Sequence, residues 1–491
     1  MTVSNSDPEA PEARLHAIAF KALISVSVIS LIGYGVIYYI SPLFAEDIAQ
    51  IGLQTYLYIA LAMGLSGACL SLIVLMPGLS GARASQALML IFLTGLIARL
   101  IMMASTPIME NDWYRYLWDG AVLAEGMDPY RYAPDDLIPG ACSEAAEEAE
   151  EAGDKARLIR LADESGDIYA GINYRCVKTI YPPLAQAAFG VSATLAPFSL
   201  MVWRACLLGI DLISFWLLLK ALHLYHRPLI WSGLYWWNPV VILETFNSAH
   251  MDILLIPCLL AVLIFARLGK ASYAVGALAA AVAVKIWPLL LAPALLRAQL
   301  SRPGRWLGLG LVFSGLSLIL LWPQYRHALG DKDQGLVAYA TSWQRHAFLF
   351  PYLMSILSHM FEDGERATRL FVASLAGLSA LGFGLFGSKR SEDLPKAFMV
   401  LLLILLFLSP TGYPWYQIWI AALIPFTPVP IALTLMLTAP LYYIRFISGD
   451  TDPFYQTIIV PLAFGVPLMT WIGPAFFKLW RRQSVRRSGQ R

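Results

Sequence analysis

Apolar residues are gathered into long runs separated by short polar connections. Runs at Phe20–Ile40, Leu53–Leu75 and Ser85–Ala104 are each close to the ~20 residues that a helix needs to cross a bilayer. A long polar segment, Ser105–Ser199, follows. Apolar runs resume at Leu200–Leu222, Leu229–Phe246, Ile253–Ala266, Tyr273–Val284, Ile286–Leu296 and Trp306–Trp322. A mixed stretch, Pro323–Arg369, holds one short amphipathic run at Ala347–Met360. The last runs are Leu370–Phe386, Phe398–Ser409, Tyr416–Phe426, Val429–Phe446 and Tyr455–Phe477. The pattern predicts an all-α polytopic membrane protein of about 12–14 transmembrane helices, with the shorter runs tilted, broken or half-length.

Composition agrees with the pattern. Of 491 residues, 58% are hydrophobic and 14% charged, against roughly 25% charged in a soluble domain. The net charge of +2 gives no reason to expect a nucleic-acid partner. The polar first 19 residues lack the short apolar core of a cleavable leader.

Lys and Arg in the short connections set the orientation. With the N-terminus inside, the inside connections carry Arg83, Lys220, Arg227, Arg267, Lys270, Arg297, Arg302, Arg305, Lys389, Arg390 and Lys396. The outside connection Ser41–Gly52 has none. Five segments follow: a cytoplasmic tail, 1–19; three N-terminal spans, 20–104; an outer loop, 105–199; the remaining spans, 200–477; and a basic cytoplasmic tail, 478–491. Cys142 and Cys176 share the outer loop. They are either a disulfide, if the compartment oxidises, or two unrelated thiols.

This topology collects the polar clusters on one face. Glu110 and Asp112 emerge there, in Met109-Glu-Asn-Asp-Trp-Tyr-Arg-Tyr-Leu-Trp-Asp-Gly120. So do Tyr181-Pro-Pro, Asn247-Ser-Ala-His250-Met-Asp252, Trp343-Gln-Arg345-His346 and Ser409-Pro-Thr-Gly-Tyr413-Pro-Trp-Tyr416. A carboxylate within reach of a hydroxyl can act as general base, and Asp112 equally suits a helix N-cap. Arg115 and Arg131 can meet phosphate, and the adjoining rings can stack on a sugar or anchor an interfacial helix from Asp112 to Asp136. Lys285, alone between two apolar runs, must snorkel or find an anion. Arg204 and Arg445 are further cations near that face. The charged stretch Glu144–Asp167 predicts a solvated helix.

The motifs Asp112-Trp-Tyr-Arg-Tyr-Leu-Trp-Asp-Gly120, Gly126-Met-Asp-Pro-Tyr-Arg-Tyr-Ala-Pro134 and Tyr181-Pro-Pro-Leu184 resemble those of GT-C class, polyprenyl-phosphate-dependent integral-membrane glycosyltransferases. They look most like the bacterial mannosyltransferases that build lipid-linked mannosides. Asn238-Pro239, Lys285 before Pro288, and Ser409-Pro410 before Trp415-Tyr416 fit the same group. The resemblance implies a GT-C-like fold whose first catalytic loop is large, periplasmic and lined with juxtamembrane helices, in a bacterial inner-membrane protein. It implies transfer of a sugar, best taken as mannose, from a polyprenyl-phosphate donor to a lipid or glycan acceptor, with inversion. Asp112 matches the family's base. Glu110 shares that role or holds a divalent cation, Mg or Mn; no cofactor is certain. Arg115, Tyr181, His250, Asp252, Lys285, Arg345, His346 and Tyr413 are the candidates for holding donor phosphate or substrate. The acidic stretch follows the third run rather than the first, which reads as an added N-terminal hairpin, Phe20–Leu75. The alternative is a lipid-linked oligosaccharide flippase.

Overall fold

A computed structural model describes residues 9–45, 51–75, 81–108, 110–138, 142, 153–299, 303–328, 334–449 and 451–473. Met109, the charged run 144–152, Arg302 and the tail 478–491 lie outside the described residues. Among those described, all regular elements are helical, and one isolated bridge joins Arg345 and Thr411. Eight helices are long and apolar enough to cross a membrane, or nine if Pro239–Asn247 and Met251–Arg267, bent against each other, count as one broken span. Ala271–Val284 and Trp287–Ala298 are apolar but shorter. The protein is thus polytopic and all-α, as its hydropathy predicts. Several apolar runs are interrupted where proline removes a backbone donor: Leu229–Phe246 breaks before Pro239, and Ile286–Leu296 forms a 3-10 turn over Trp287–Leu291 and then a short helix.

The chain divides into two compact units. The first comprises 1–106, 226–243 and 420–491. Its helices Glu9–Ile40, Leu53–Ser71 and Gly81–Met103 pack together, and Leu53–Ser71 also meets Pro430–Thr438. Arg99 is fully buried here, a cost met by local partners. Its Nη1 donates to the Trp236 carbonyl at 2.7 Å and the Gly95 carbonyl at 2.9 Å, and its guanidinium lies 3.5 Å over the Trp236 ring. Gly95 leaves room for that indole, since a Cβ would fall 2.2 Å from it.

The second unit comprises 107–225 and 244–419 and holds every candidate site residue of the sequence except Arg445. Arg445 lies in the first unit, over the rings of Tyr442 and Phe446. The segment that opens the outer loop forms a buried helix, Asp112–Ala124, packed on Pro183–Leu195. Trp113, Tyr116 and Trp118 are interior residues of the protein. The physical reason is two glycines. A Cβ on Gly120 would lie 2.4 Å from the Phe189 carbonyl oxygen, and one on Gly190 would lie 2.9 Å from Leu123. Gly120→Ala therefore costs about 1–3 kcal/mol through overpacking. It lowers the thermal midpoint of the solubilised protein; an unchanged midpoint would show that these helices do not pack as closely as described.

The rest of the 105–199 segment is also built on a core. Within the charged stretch the helix is Asp154–Glu164, and Leu158 and Leu161 cover Trp118, Ala121 and Val122. Arg157 and Arg160 reach Glu125. Cys142 and Cys176 form a disulfide, with Cα atoms 5.1 Å apart.

Candidate active site

Asp112 is the first residue of its helix, with Asn111 in the cap position. The amide dipoles there favour a carboxylate. Its side chain is 33% exposed, so it is open to a substrate yet held by the helix. Glu110, two residues earlier, is mostly buried.

Behind Asp112 lies His250, which has no exposed surface. Its Nδ1 is 3.9 Å from Asp112 Oδ2 and 3.4 Å from the Tyr116 hydroxyl; its Nε2 is 3.6 Å from Glu244 Oε2. Trp415 stacks on the imidazole, 3.9 Å between centroids, and Tyr413 stacks on Trp415 at 4.3 Å. Burial, with neighbouring acidic groups adding to it, pushes the hydroxyls of Tyr116 and Tyr181 well above the ordinary tyrosine range, so both stay neutral and able to donate.

A second cluster adjoins the first. Lys285 ends the helix Ala271–Val284 and places Nζ 2.6 Å from Asp252 Oδ1. Trp419 Nε1 donates to the same oxygen at 2.7 Å. The ammonium also lies 4.5 Å from the Tyr416 ring centroid and 4.7 Å from that of Trp419. Tyr416 and Tyr413 meet edge to face at 5.5 Å, which links the two clusters. Lys285 keeps 23% of its side chain exposed, whereas Asp252 is buried.

The remaining candidates support these clusters from the side. Arg345 bridges the loop after Leu408: its N–H donates to the Pro410 carbonyl at 2.9 Å, and its own carbonyl accepts from Gly412 N–H at 3.1 Å. Its guanidinium is 3.3 Å from the Tyr174 hydroxyl. His346 is buried beside it with a left-handed φ of 51°. Arg115 turns inward. Nε binds Asp119 at 2.7 Å and Nη1 donates to the Val177 carbonyl at 2.8 Å, which ties the Asp112 helix to the strand-like approach to Tyr181. Tyr181 meets Tyr116 edge to face at 5.0 Å, and its carbonyl accepts from the Tyr130 hydroxyl at 2.7 Å. Asp112, His250 and Tyr413 are thus brought into one cluster and Asp252 and Lys285 into the next, while Arg115 and Tyr181 buttress the helix.

Sequence reasoning singled out neither Glu244 nor Trp419. Glu244 did carry a signal, as a lone carboxylate inside the apolar run Leu229–Phe246. Among the described residues, one trio of potential metal ligands lies within 4.8 Å of one another: Asp135, Cys142 and Cys176. Its sulfurs are joined in the disulfide, so it is not a cation site.

An all-helical, many-span membrane protein carrying this constellation belongs to the polytopic class. Within it, residues 20–149 match the N-terminal domain of a family described as alpha-(1->6)-mannopyranosyltransferase, which is of GT-C type. The match includes Asp112, bears out the resemblance of the Asp112–Gly120 motif, and supports mannosyl transfer. It also corrects one reading. Because it begins at residue 20, the stretch Phe20–Leu75 is part of the matched domain, not an addition to it. No curated protein and no solved structure matches the chain.

Proposed function

We propose that the protein moves mannose from a polyprenyl-phosphate donor to a hydroxyl of a lipid or glycan acceptor, at the periplasmic face of the bacterial inner membrane. The observation that carries this reading is Asp112: a partly exposed carboxylate at a helix N-terminus, inside the segment matched to a mannosyltransferase domain and 3.9 Å from a buried histidine that stacks on Trp415. In the proposed reaction Asp112 removes the hydroxyl proton as the oxygen attacks the anomeric carbon opposite the lipid phosphate. The polyprenyl phosphate is a stabilised leaving anion and needs no general acid. Lys285 and Arg345 are the cations offered to its developing charge. Tyr413, one face of which stacks on the buried Trp415, offers its other face to a sugar ring. An α-(1→6) linkage, as the family description has it, follows from inversion of a β-linked donor by a primary hydroxyl.

The Cys142–Cys176 disulfide supports the periplasmic assignment of the 105–199 loop, since such bonds persist in oxidising compartments. The charge pattern of the short connections supports cytoplasmic termini. Full-length protein in lipid nanodiscs, given radiolabelled polyprenyl-phosphate mannose and extracted membrane lipids, is expected to yield a labelled, slower-migrating glycolipid. Movement of intact donor between leaflets of proteoliposomes, with no new glycosidic product, would replace this reading with the flippase.

A further inference from the structure

Glu244 is fully buried in an apolar stretch, and the transfer reaction above does not employ it. It sits in a π-helical turn, Leu243–Asn247, whose Glu244 carbonyl accepts from His250 N–H at 2.9 Å. The chain then folds back through Ala249, which has a left-handed φ of 59°. The turn is pinned from three directions. Trp203 Nε1 donates to the Ala249 carbonyl at 2.9 Å, Arg204 donates to the Asn247 carbonyl, and Ile108 N–H donates to Asn247 Oδ1 at 2.9 Å. With Trp415 stacked on its face, the imidazole is fixed with one nitrogen toward Glu244 and the other toward Asp112 and Tyr116. Such turns and left-handed residues are uncommon and cluster at functional sites.

We propose that Glu244 is a positioning residue that holds His250 with Nε2–H toward its own carboxylate and the Nδ1 lone pair toward Asp112, so that His250 takes from Asp112 the proton removed from the acceptor. The inference rests on the reading of Asp112 as base. The acceptor O–H bond breaks as its oxygen bonds to the anomeric carbon. The bond from that carbon to the phosphate oxygen breaks, and the polyprenyl phosphate leaves with the electron pair. The proton passes to Asp112 and on to Nδ1, and the resulting imidazolium faces the Glu244 carboxylate until, after product release, the proton returns through the partly exposed Asp112 to water. Asp112 is thereby ionised again for the next acceptor. The separations of 3.6 and 3.9 Å are longer than hydrogen bonds, and the proposed relay requires both to shorten when substrate binds. The titratable and charged groups around the imidazole are Asp112 and Tyr116 from the Asp112–Ala124 helix, Glu244 from its own turn, and the Lys285–Asp252 pair.

The test is steady-state transfer from labelled polyprenyl-phosphate mannose by full-length wild type, Glu244→Gln, Glu244→Asp, His250→Gln and the Glu244→Gln/His250→Gln double variant across pH. Glu244→Gln is expected to lower kcat roughly 10²-fold with donor KM near that of wild type. It also moves the acid limb of the kcat/KM profile to lower pH, because the imidazolium loses its counter-charge. Glu244→Asp restores part of the rate. His250→Gln loses a similar factor, and the double variant loses no more than His250→Gln alone. Wild-type kcat in Glu244→Gln overturns the proposal. So does a fall in kcat with an unmoved acid limb, or a double variant whose losses multiply. If Glu244→Gln does not reach the membrane, Glu244→Asp against His250→Gln carries the same comparison. Asp112→Asn separates the two levels. If it stays active, the base assignment fails whatever Glu244 does; if it is inactive while Glu244→Gln is normal, the relay alone fails.

Discussion

Asp112→Asn is expected to abolish mannosyl transfer, a fall on the order of 10²–10⁴ in rate, with expression and thermal midpoint unchanged. The side chain begins a helix whose stability comes from elsewhere, namely the Gly120–Phe189 contact and the Arg115–Asp119–Gln186 network. Asparagine keeps the volume and can still accept a hydrogen bond, but it cannot take a proton at neutral pH. The measurement is labelled glycolipid formed per minute by purified variant and wild type at equal protein. Near-normal turnover would remove Asp112 from the chemistry.

Lys285→Met is expected to have the second largest effect, and on stability as well as rate. The lysine neutralises Asp252, which is buried and has Trp419 Nε1–H on the same oxygen. Removing one partner of a buried pair strands the other charge, at about 3–5 kcal/mol. The lower end applies here, since Lys285 keeps partial exposure and its loss admits water. The thermal midpoint therefore falls. Lys285→Met/Asp252→Asn recovers most of the midpoint because no charge is left stranded. If Lys285 also meets the donor phosphate, the double variant stays slow and its donor KM remains raised. A stable double variant with wild-type kinetics would confine the pair to structure.

Much of the molecule was legible as local pattern. Runs of about 20 apolar residues became the long helices, because in a bilayer the backbone must bond to itself. Within the charged stretch Glu144–Asp167 a helix is described at Asp154–Glu164, where propensity and an amphipathic face agree. The Asp112-Trp-Tyr-Arg motif pointed to a candidate site through its resemblance to a known family, and the family match at residues 20–149 includes it. The close packing of Asp112–Ala124 on Pro183–Leu195 was not legible there, because it depends on two glycines 70 residues apart, Gly120 and Gly190.

The sequence by itself thus determined a polytopic all-helical class and the pool of polar residues available around Asp112. Tertiary structure alone decided which of them meet. His250 stands between Asp112 and Glu244, Lys285 is matched with Asp252 and set under Tyr416 and Trp419, and Arg115 faces inward to Asp119 rather than outward. The reason is physical. Hydropathy and helix propensity act over a few turns of chain, whereas Asp112 and His250 lie 138 positions apart and are joined only when π-turn, left-handed residue and stacked indole hold the second against the first.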